Sequence, residues 1–392
     1  MGGIDPPHDE EMKKPSPETE PKRDMSILSL PDDLLINCIS RVSKLYYHNL
    51  PRVSKPLYAT RSRLKAEKCI YLYIRFPLDP KTYWLTLTRL PSRIIANRSS
   101  GYYVEEIPCP NYLCSAQSST FVSVGSDIYN ISGANHLHEC KIWKRNYCSS
   151  VFVLDCRTHT WSQAPSMGMA RNENATAKFF DGKIYVAGGC DEKYVSNPNW
   201  IEAFDLETQT WDPVTNPRIF RLWEEDKVKG FEAKSVSLEG KLYIFGDEAA
   251  VYNPEDGRWL EVGKDVCRMW WAATGCHCVI DDVFFLWDRH RRVFKWYDSK
   301  SDSWKELSGI EGLPELSPNS RVCQVKIVDL GGKIGFLWNQ YLYTGTNNEC
   351  RIWCAEITVE DGDEMWGKVE WFDYVLRTHE SCSSFHVVSV SV

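Results

Sequence analysis

The feature that most constrains this chain is a short unit that recurs four times at one spacing. An apolar residue precedes Asp or Asn, and Trp follows six positions after that Asp or Asn: Leu154-Asp155 to Trp161, Phe204-Asp205 to Trp211, Tyr252-Asn253 to Trp259, and Tyr297-Asp298 to Trp304. The residues between them, such as Arg157-Thr-His-Thr160 and Glu207-Thr-Gln-Thr210, are turn formers between two short strands. Each unit therefore reads as a β-hairpin. The four Trp residues are 50, 48 and 45 positions apart.

A second piece precedes each hairpin: an apolar strand, a tight turn and another apolar strand. The clearest copies run from Ala177 to Gly189 and from Val236 to Gly246, with Asp181-Gly182 and Glu239-Gly240 at the turns. Weaker copies run from Val122 to Tyr129, Cys278 to Phe285 and Val325 to Phe336. Four strands in about 45–50 residues is the period of a propeller blade. Two degenerate hairpins extend the series, Cys69 to Arg89 around Trp84 and Arg351 to Phe372 around Trp366 and Trp371. Six outer hairpins thus face five inner strand pairs, and His386 to Val392 forms a strand with no hairpin after it. Closure of the first blade by this last strand removes every open sheet edge. The expected fold is mainly β, a six-bladed propeller over residues 69–392, with five or seven blades as the alternatives.

Ahead of the propeller the pattern differs. Residues 1–24 hold Pro6, Pro7, Pro15, Pro17 and Pro21 among charges, and are expected to form a disordered tail. Residues 25–68 are expected to be helical. Pro31 suits a first helical turn, and Asp32 and Asp33 suit the positive end of the helix dipole. Leu34, Leu35, Cys38, Ile39 and Val42 then fall on one face. So short a segment has too little core to cover that face, which implies a partner.

Composition excludes several functions. The formal net charge is -7, with one local basic run from Arg41 to Lys68, so nucleic acid is not an expected partner. No apolar run is long enough to span a bilayer, so no membrane association is expected. The 15 Cys are scattered and no secretion signal precedes them, which suits reduced thiols in the cytoplasm or nucleus. His136-Leu-His138-Glu-Cys140, with Cys148, has the residue types of a zinc site but lacks the paired C-x2-C spacing. No metal and no cofactor are expected. Cys276 and Cys278 sit in an apolar strand and read as small packing residues. No phosphate loop, nucleophile elbow or His-Glu-x-x-His helix occurs, so the chain is not expected to be an enzyme.

Propeller geometry gathers equivalent loops on one face. The long ones, Asn135 to Ser149, Cys190 to Trp200 and Asn339 to Glu349, offer Trp143, Lys144, Arg145, Tyr194, Trp200, Tyr341 and Tyr343. Aromatic and Arg side chains dominate interface hot spots, so these are the candidate target-binding residues. The alternative is that they pack the loops.

Leu28-Ser-Leu-Pro-Asp-Asp-Leu-Leu35 resembles the start of an F-box. Gly188-Gly189, Met169-Ala-Arg171 and the Asp-to-Trp hairpins resemble kelch repeats. With Trp353-Cys-Ala-Glu-Ile357 and Trp366-Gly-Lys-Val-Glu-Trp371 downstream, the ordered set resembles the plant F-box/kelch-repeat family. That resemblance implies a kelch-type propeller and a substrate-recognition adaptor of an SCF-type E3 ubiquitin ligase. The F-box would dock a Skp-type adaptor and, through it, a cullin complex. The propeller would hold a target protein for ubiquitination. Carried over by position, Leu30, Pro31, Leu34, Leu35, Ile39, Val53 and Ser54 would face the adaptor. The sequence departs from the pattern where Val53-Ser-Lys55 meets Pro56, and where Trp287-Asp288 and Leu337-Trp338 replace double glycines. Two other readings stay open: a propeller scaffold with a degenerate F-box, and a propeller enzyme of the kind that resembles galactose oxidase.

Overall fold

A computed structural model describes residues 68–76, 79, 81–89, 102–110, 120–131, 147–172, 174–190, 200–214, 233–245, 249–253, 257–262, 276–301, 303–311, 313, 321–343, 348–360, 362, 364–379 and 382–392. From the N-terminal part it describes Gly2, Leu30, Pro31, Leu34, Cys38, Ile39 and Arg52. The expected tail falls outside these residues but for Gly2.

The strand β1 (Lys68–Arg75) shows why these residues form sheets. Ile70, Leu72 and Ile74 are buried on one side, and Cys69, Tyr71 and Tyr73 on the other. A strand buried on both faces reads as a continuous apolar run, and β-branched and aromatic residues suit it. Five more blades repeat the pattern. In chain order they are β2 (Thr82–Arg89) and β3 (Tyr102–Ile107) beside β1; β4 (Thr120–Val124), β5 (Asp127–Ile131), β6 (Val151–Asp155) and β7 (Thr160–Ala164); and β8 (Thr176–Phe180), β9 (Lys183–Ala187), β10 (Ile201–Asp205) and β11 (Thr210–Pro213). Then follow β12 (Lys234–Leu238), β13 (Lys241–Phe245), β14 (Ala249–Asn253) and β15 (Arg258–Val262), and β16 (His277–Ile280), β17 (Val283–Asp288), β18 (Val293–Asp298) and β19 (Ser303–Glu306). The last are β20 (Arg321–Asp329), β21 (Lys333–Tyr343), β22 (Asn348–Glu360), β23 (Trp366–Thr378) and β24 (Ser384–Ser391).

These strands make six four-stranded antiparallel sheets. The innermost strands β24, β4, β8, β12, β16 and β20 neighbour one another in a closed ring. Six apolar clusters fill the six interfaces between successive blades. The ring is closed by β24, which pairs with β1 from Lys68↔Ser391 to Arg75↔Ser384, as the unmatched C-terminal strand implied. The fold is a six-bladed propeller.

The recurring hairpins have a shared physical basis. In each, the apolar residue lies directly opposite the Trp: Leu154↔Trp161, Phe204↔Trp211, Tyr252↔Trp259 and Tyr297↔Trp304. Asp155, Asp205 and Asp298 accept the backbone N–H two residues on, at 2.8, 2.9 and 3.0 Å, the turn for which Asp is favoured. The Trp161 indole donates to the Pro108 carbonyl at 3.2 Å, and Trp211 to that of Pro165 at 2.8 Å. Both prolines end the outer strand of the preceding blade, so the Trp ties neighbouring blades together.

The double glycines and their replacements differ by what must fit. Gly188 has φ +71, and a Cβ there would meet the Ala233 Cβ at 2.5 Å, across the blade interface. Its carbonyl accepts a 2.6 Å bond from the buried Arg171 guanidinium, which also pairs with Glu202 at 2.9 Å. Counted from the inner-hairpin turns, Trp338 of the last blade stands at the place of Gly188, and Trp287 of the next-to-last blade at the place of Ala187. There they join Phe294, Phe336 and Trp353 in one aromatic layer.

Two expectations are corrected. The hairpin of residues 69–89 is not an outer one: β1 and β2 are the second and third strands of their blade, and β3 is the outermost. The outer strand escaped notice because Tyr102-Tyr-Val-Glu-Glu-Ile107 has no Asp-to-Trp turn before it. The stretch from Asn339 to Glu349 is not a long loop, since β21 and β22 stay paired as far as Tyr343↔Asn348.

Two outcomes follow. Deleting residues 384–392 should abolish the single cooperative urea transition of the propeller, because it bares the whole β1 edge and two apolar clusters; an unchanged midpoint would contradict closure. The second concerns acid. Asp298 is held well below the usual carboxylate range, first by the Lys305 ammonium at 2.6 Å and then by the Ser301 hydroxyl. A depressed carboxylate stabilises the fold above its ordinary pKa, and that contribution fades as pH falls through the folded-state value. Asp298→Asn keeps the turn acceptor and should flatten the loss of stability between about pH 5 and pH 2, measured by urea titration.

Candidate interaction surfaces

Antiparallel order gives the propeller two unlike faces. Turns between first and second strands, and between third and fourth, lie on one face. Connections between second and third strands, and the crossovers from blade to blade, lie on the other. The turn face is built from tight hairpins such as Asp181-Gly182, Glu239-Gly240 and Asp281-Asp282, all with positive φ. The loop face carries the longer segments, including residues 132–150 between β5 and β6 and 188–200 between β9 and β10.

The chain enters the propeller on the turn face. Lys68 pairs with Ser391, and its ammonium lies 3.4 Å from the Asp329 carboxylate. Asp329 precedes the Gly331-Gly332 turn of the last blade, where its carboxylate accepts both glycine N–H groups at 2.9 Å. The chain ahead of residue 68 therefore joins the propeller on the face opposite the connections between second and third strands.

The residues singled out from sequence fare unequally. Leu30 and Leu34 are exposed at 36% and 52%, and Pro31 is exposed. Leu34, Cys38 and Ile39 are helical, as the apolar spacing implied. Ile39 is corrected: it is buried within this chain rather than presented with Leu34. Leu35, Val53 and Ser54 lie outside the described residues, as do Trp143, Lys144, Arg145 and Tyr194 and the His136-to-Cys140 cluster. Trp200 is also corrected. It is wholly buried in the cluster between the third and fourth blades, with Met169, Cys190 and Ala233, and its carbonyl accepts a 3.0 Å bond from Arg171. A flat indole at the end of a connection fills the seam between two sheets, which a polar loop residue could not do. Tyr341 is half-buried against the seam between the last and first blades, and Tyr343 is the final residue of β21.

One group was not foreseen. Lys178 on β8, Lys234 on β12, Lys326 on β20 and His386 on β24 all lie on innermost strands and are half-buried. Such residues border the axial channel of the ring. The signal was a lysine inside an apolar strand, as in Ala177-Lys-Phe-Phe180 and Val325-Lys-Ile-Val328, which reads by default as a solvent face. Among the described residues no cluster of metal-ligating side chains occurs, and no helix is long and apolar enough to cross a membrane.

A closed ring of six four-stranded blades, entered from one face by a helical segment, defines the class: a propeller with an N-terminal helical module. Comparison with known proteins is specific about both parts. The FKB95 kelch-repeats domain matches residues 84–376, and the F-box domain matches residues 27–60. A putative F-box/kelch-repeat protein of Arabidopsis thaliana is 47% identical over 412 residues, covering 100% of both chains. A second F-box/kelch-repeat protein of the same plant is 45% identical over 404 residues, covering 99% of this chain and 96% of its own. A third is 39% identical over 393 residues, with 96% of each covered. This chain belongs to the F-box/kelch-repeat family.

The corrected place of Trp200 has a measurable consequence. Trp200→Ala should destabilise the propeller by about 3–5 kcal/mol in urea unfolding, the usual cost of emptying a buried Trp site. A variant of unchanged stability would return Trp200 to the surface.

Proposed function

We propose that this chain is the substrate-recognition adaptor of an SCF-type E3 ubiquitin ligase. Its F-box docks a Skp-type adaptor and, through it, the cullin complex, while the loop face of the propeller holds a target protein for ubiquitination. The observation that carries this reading is the polarity of the propeller. The tether to the F-box leaves from the turn face at Lys68, and the long connections open on the other. A target on the loop face would then not compete for space with the adaptor.

The adaptor surface comprises Leu30, Pro31, Leu34 and Leu35, joined by Val53 and Ser54 from the following helix. Leu30 and Leu34 are the exposed apolar side chains to be covered. Each buried Leu contributes about 1.5–3 kcal/mol, so the pair is a substantial part of the contact. Burial of Ile39 favours a second reading, in which the helical module is packed on its own chain and the propeller is a scaffold with a degenerate F-box. On the loop face, Trp143, Lys144, Arg145 and Tyr194 are the target-binding candidates, with Tyr341 and Tyr343 at the end of β21. The role is one of binding rather than catalysis. The described cysteines are free thiols, which fits a reducing compartment such as cytoplasm or nucleus.

The test is association with a purified Skp-type adaptor. The wild-type chain should bind, and Leu30→Asp with Leu34→Asp should weaken binding about 100-fold or more, since two apolar contacts are lost and two charges must be desolvated. A folded wild-type chain that ignores the adaptor would sink the ligase reading and leave the scaffold.

A further inference from the structure

We propose that Cys350 and Cys382 are a redox pair: hydrogen peroxide joins their sulfurs in a disulfide that locks the crossover from the last blade to the closing strand. Cys350 lies at the loop-face end of β22, directly opposite Tyr341 on β21, and Cys382 lies two residues before β24 begins. Both are free thiols, buried in the apolar cluster between the last and first blades. Strand register explains how they meet. Asn339 and Tyr341 are two positions apart on β21, so they share one face of the sheet, and Ile352 and Cys350 lie opposite them. The Asn339 amide donates to the Cys382 sulfur at 3.2 Å, which sets Cys382 on the sheet beside Cys350. There the two thiols hydrogen-bond each other, and the Cys350 sulfur also accepts the backbone N–H of Cys382. Cys354 shares the cluster but lies four positions further along β22, about 13 Å away in an extended strand, so it is not the partner.

The order of the chemistry follows from the surroundings. The hydrogen bond to Cys382 and then burial hold the Cys350 thiol above the usual thiol range. Cys350 thus keeps its proton, while the Cys382 sulfur accepts from the Asn339 amide and is 5% exposed against 1% for Cys350. Cys382 is therefore the sulfur that peroxide meets, and burial of the pair selects a small uncharged oxidant over a bulky one. Attack of the Cys382 sulfur on one peroxide oxygen breaks the O–O bond, forms a sulfenic acid and releases water with the thiol proton. The Cys350 sulfur then attacks the Cys382 sulfur, the S–O bond breaks, and a second water leaves with the Cys350 proton. The two thiols lose two electrons and peroxide gains them. The position of the bond gives it its effect. Ser383 donates its N–H to the Arg75 carbonyl of the first blade at 2.8 Å, and its own carbonyl accepts from the Gln324 side chain at 3.3 Å. In the reduced protein such hydrogen bonds hold the start of the closing strand to the blades on either side. The disulfide adds a covalent anchor, so β24 stays tethered beside β1 even when its ladder frays, and residues 350–382 become a closed loop that restrains the unfolded chain. The oxidised ring is harder to open than the reduced one, whether or not the chain serves a ligase.

The test uses the full chain, reduced, then treated with stoichiometric hydrogen peroxide at pH 7. Remaining thiols are alkylated, and tryptic peptides are read by mass spectrometry without reduction. Cleavage after Lys333, Arg351 and Arg377 puts Cys350 and Cys382 on separate peptides, residues 334–351 and 378–392, each with no other cysteine. The expected product is these two peptides joined, two hydrogen atoms lighter than their sum and separated again by dithiothreitol. The oxidised chain should melt about 5 °C above the reduced one. Cys350→Ala and Cys382→Ala should each lose that gain under the same treatment, which separates this bond from oxidation elsewhere. Should either variant fail to fold, the joined peptide and the reversible Tm gain of the wild type decide the matter. Both cysteines recovered alkylated while other thiols are oxidised, overoxidised Cys382 with no joined peptide, or a joined peptide with unchanged or lowered Tm would overturn the lock.

Discussion

Everything in this propeller depends on the pairing of β24 with β1. The other blades are made from consecutive strands and could form locally as the chain is synthesised. The first blade cannot, because its innermost strand, β24, follows all the others in the chain. Until that strand arrives, the apolar clusters on both sides of the blade lack Phe385, Val388 and Val390. Each blade has two buried faces, so a missing strand opens two interfaces at once.

Closure also fixes direction. Because β24 fills the innermost place, the segment that precedes β1 must leave from the turn face, beside Asp329 and the Gly331-Gly332 turn. The tight hairpins there are held by Asp side chains that bond their own backbone, leaving little surface to vary. Variation in length is left to the loop face, where the connections of residues 132–150 and 188–200 begin and end. That the N-terminal segment joins at one face and the longer connections open on the other are consequences of strand order, and they suit the adaptor reading.

How much of this was legible depended on whether a residue's role was local. Asp155 and Trp161 act within one hairpin, so their spacing revealed both the turn and the period. The closing strand was legible by arithmetic, since one strand and one blade were each left incomplete. Trp200 was misread because its burial depends on Ala233 and Leu242, which belong to the next blade. Asn339 and Gln340 read as loop, yet they are strand residues whose amides are consumed by the Gln324 N–H, the Cys382 sulfur and the Trp353 indole. The channel lysines were illegible for the same reason. Only closure of six distant strands brings Lys178, Lys234 and Lys326 around one axis. The F-box was legible through its apolar face and proline, but the burial of Ile39 was not.

The central claim is that adaptor and target are bound on opposite faces of one closed ring. Lysine cross-linking of the chain in complex with a Skp-type adaptor, read by mass spectrometry, tests it most directly. The account predicts that adaptor cross-links map to turn-face lysines such as Lys183, Lys241 and Lys300, with Lys81 on the loop face spared. Cross-links concentrated at Lys81 and the other loop-face positions would contradict it.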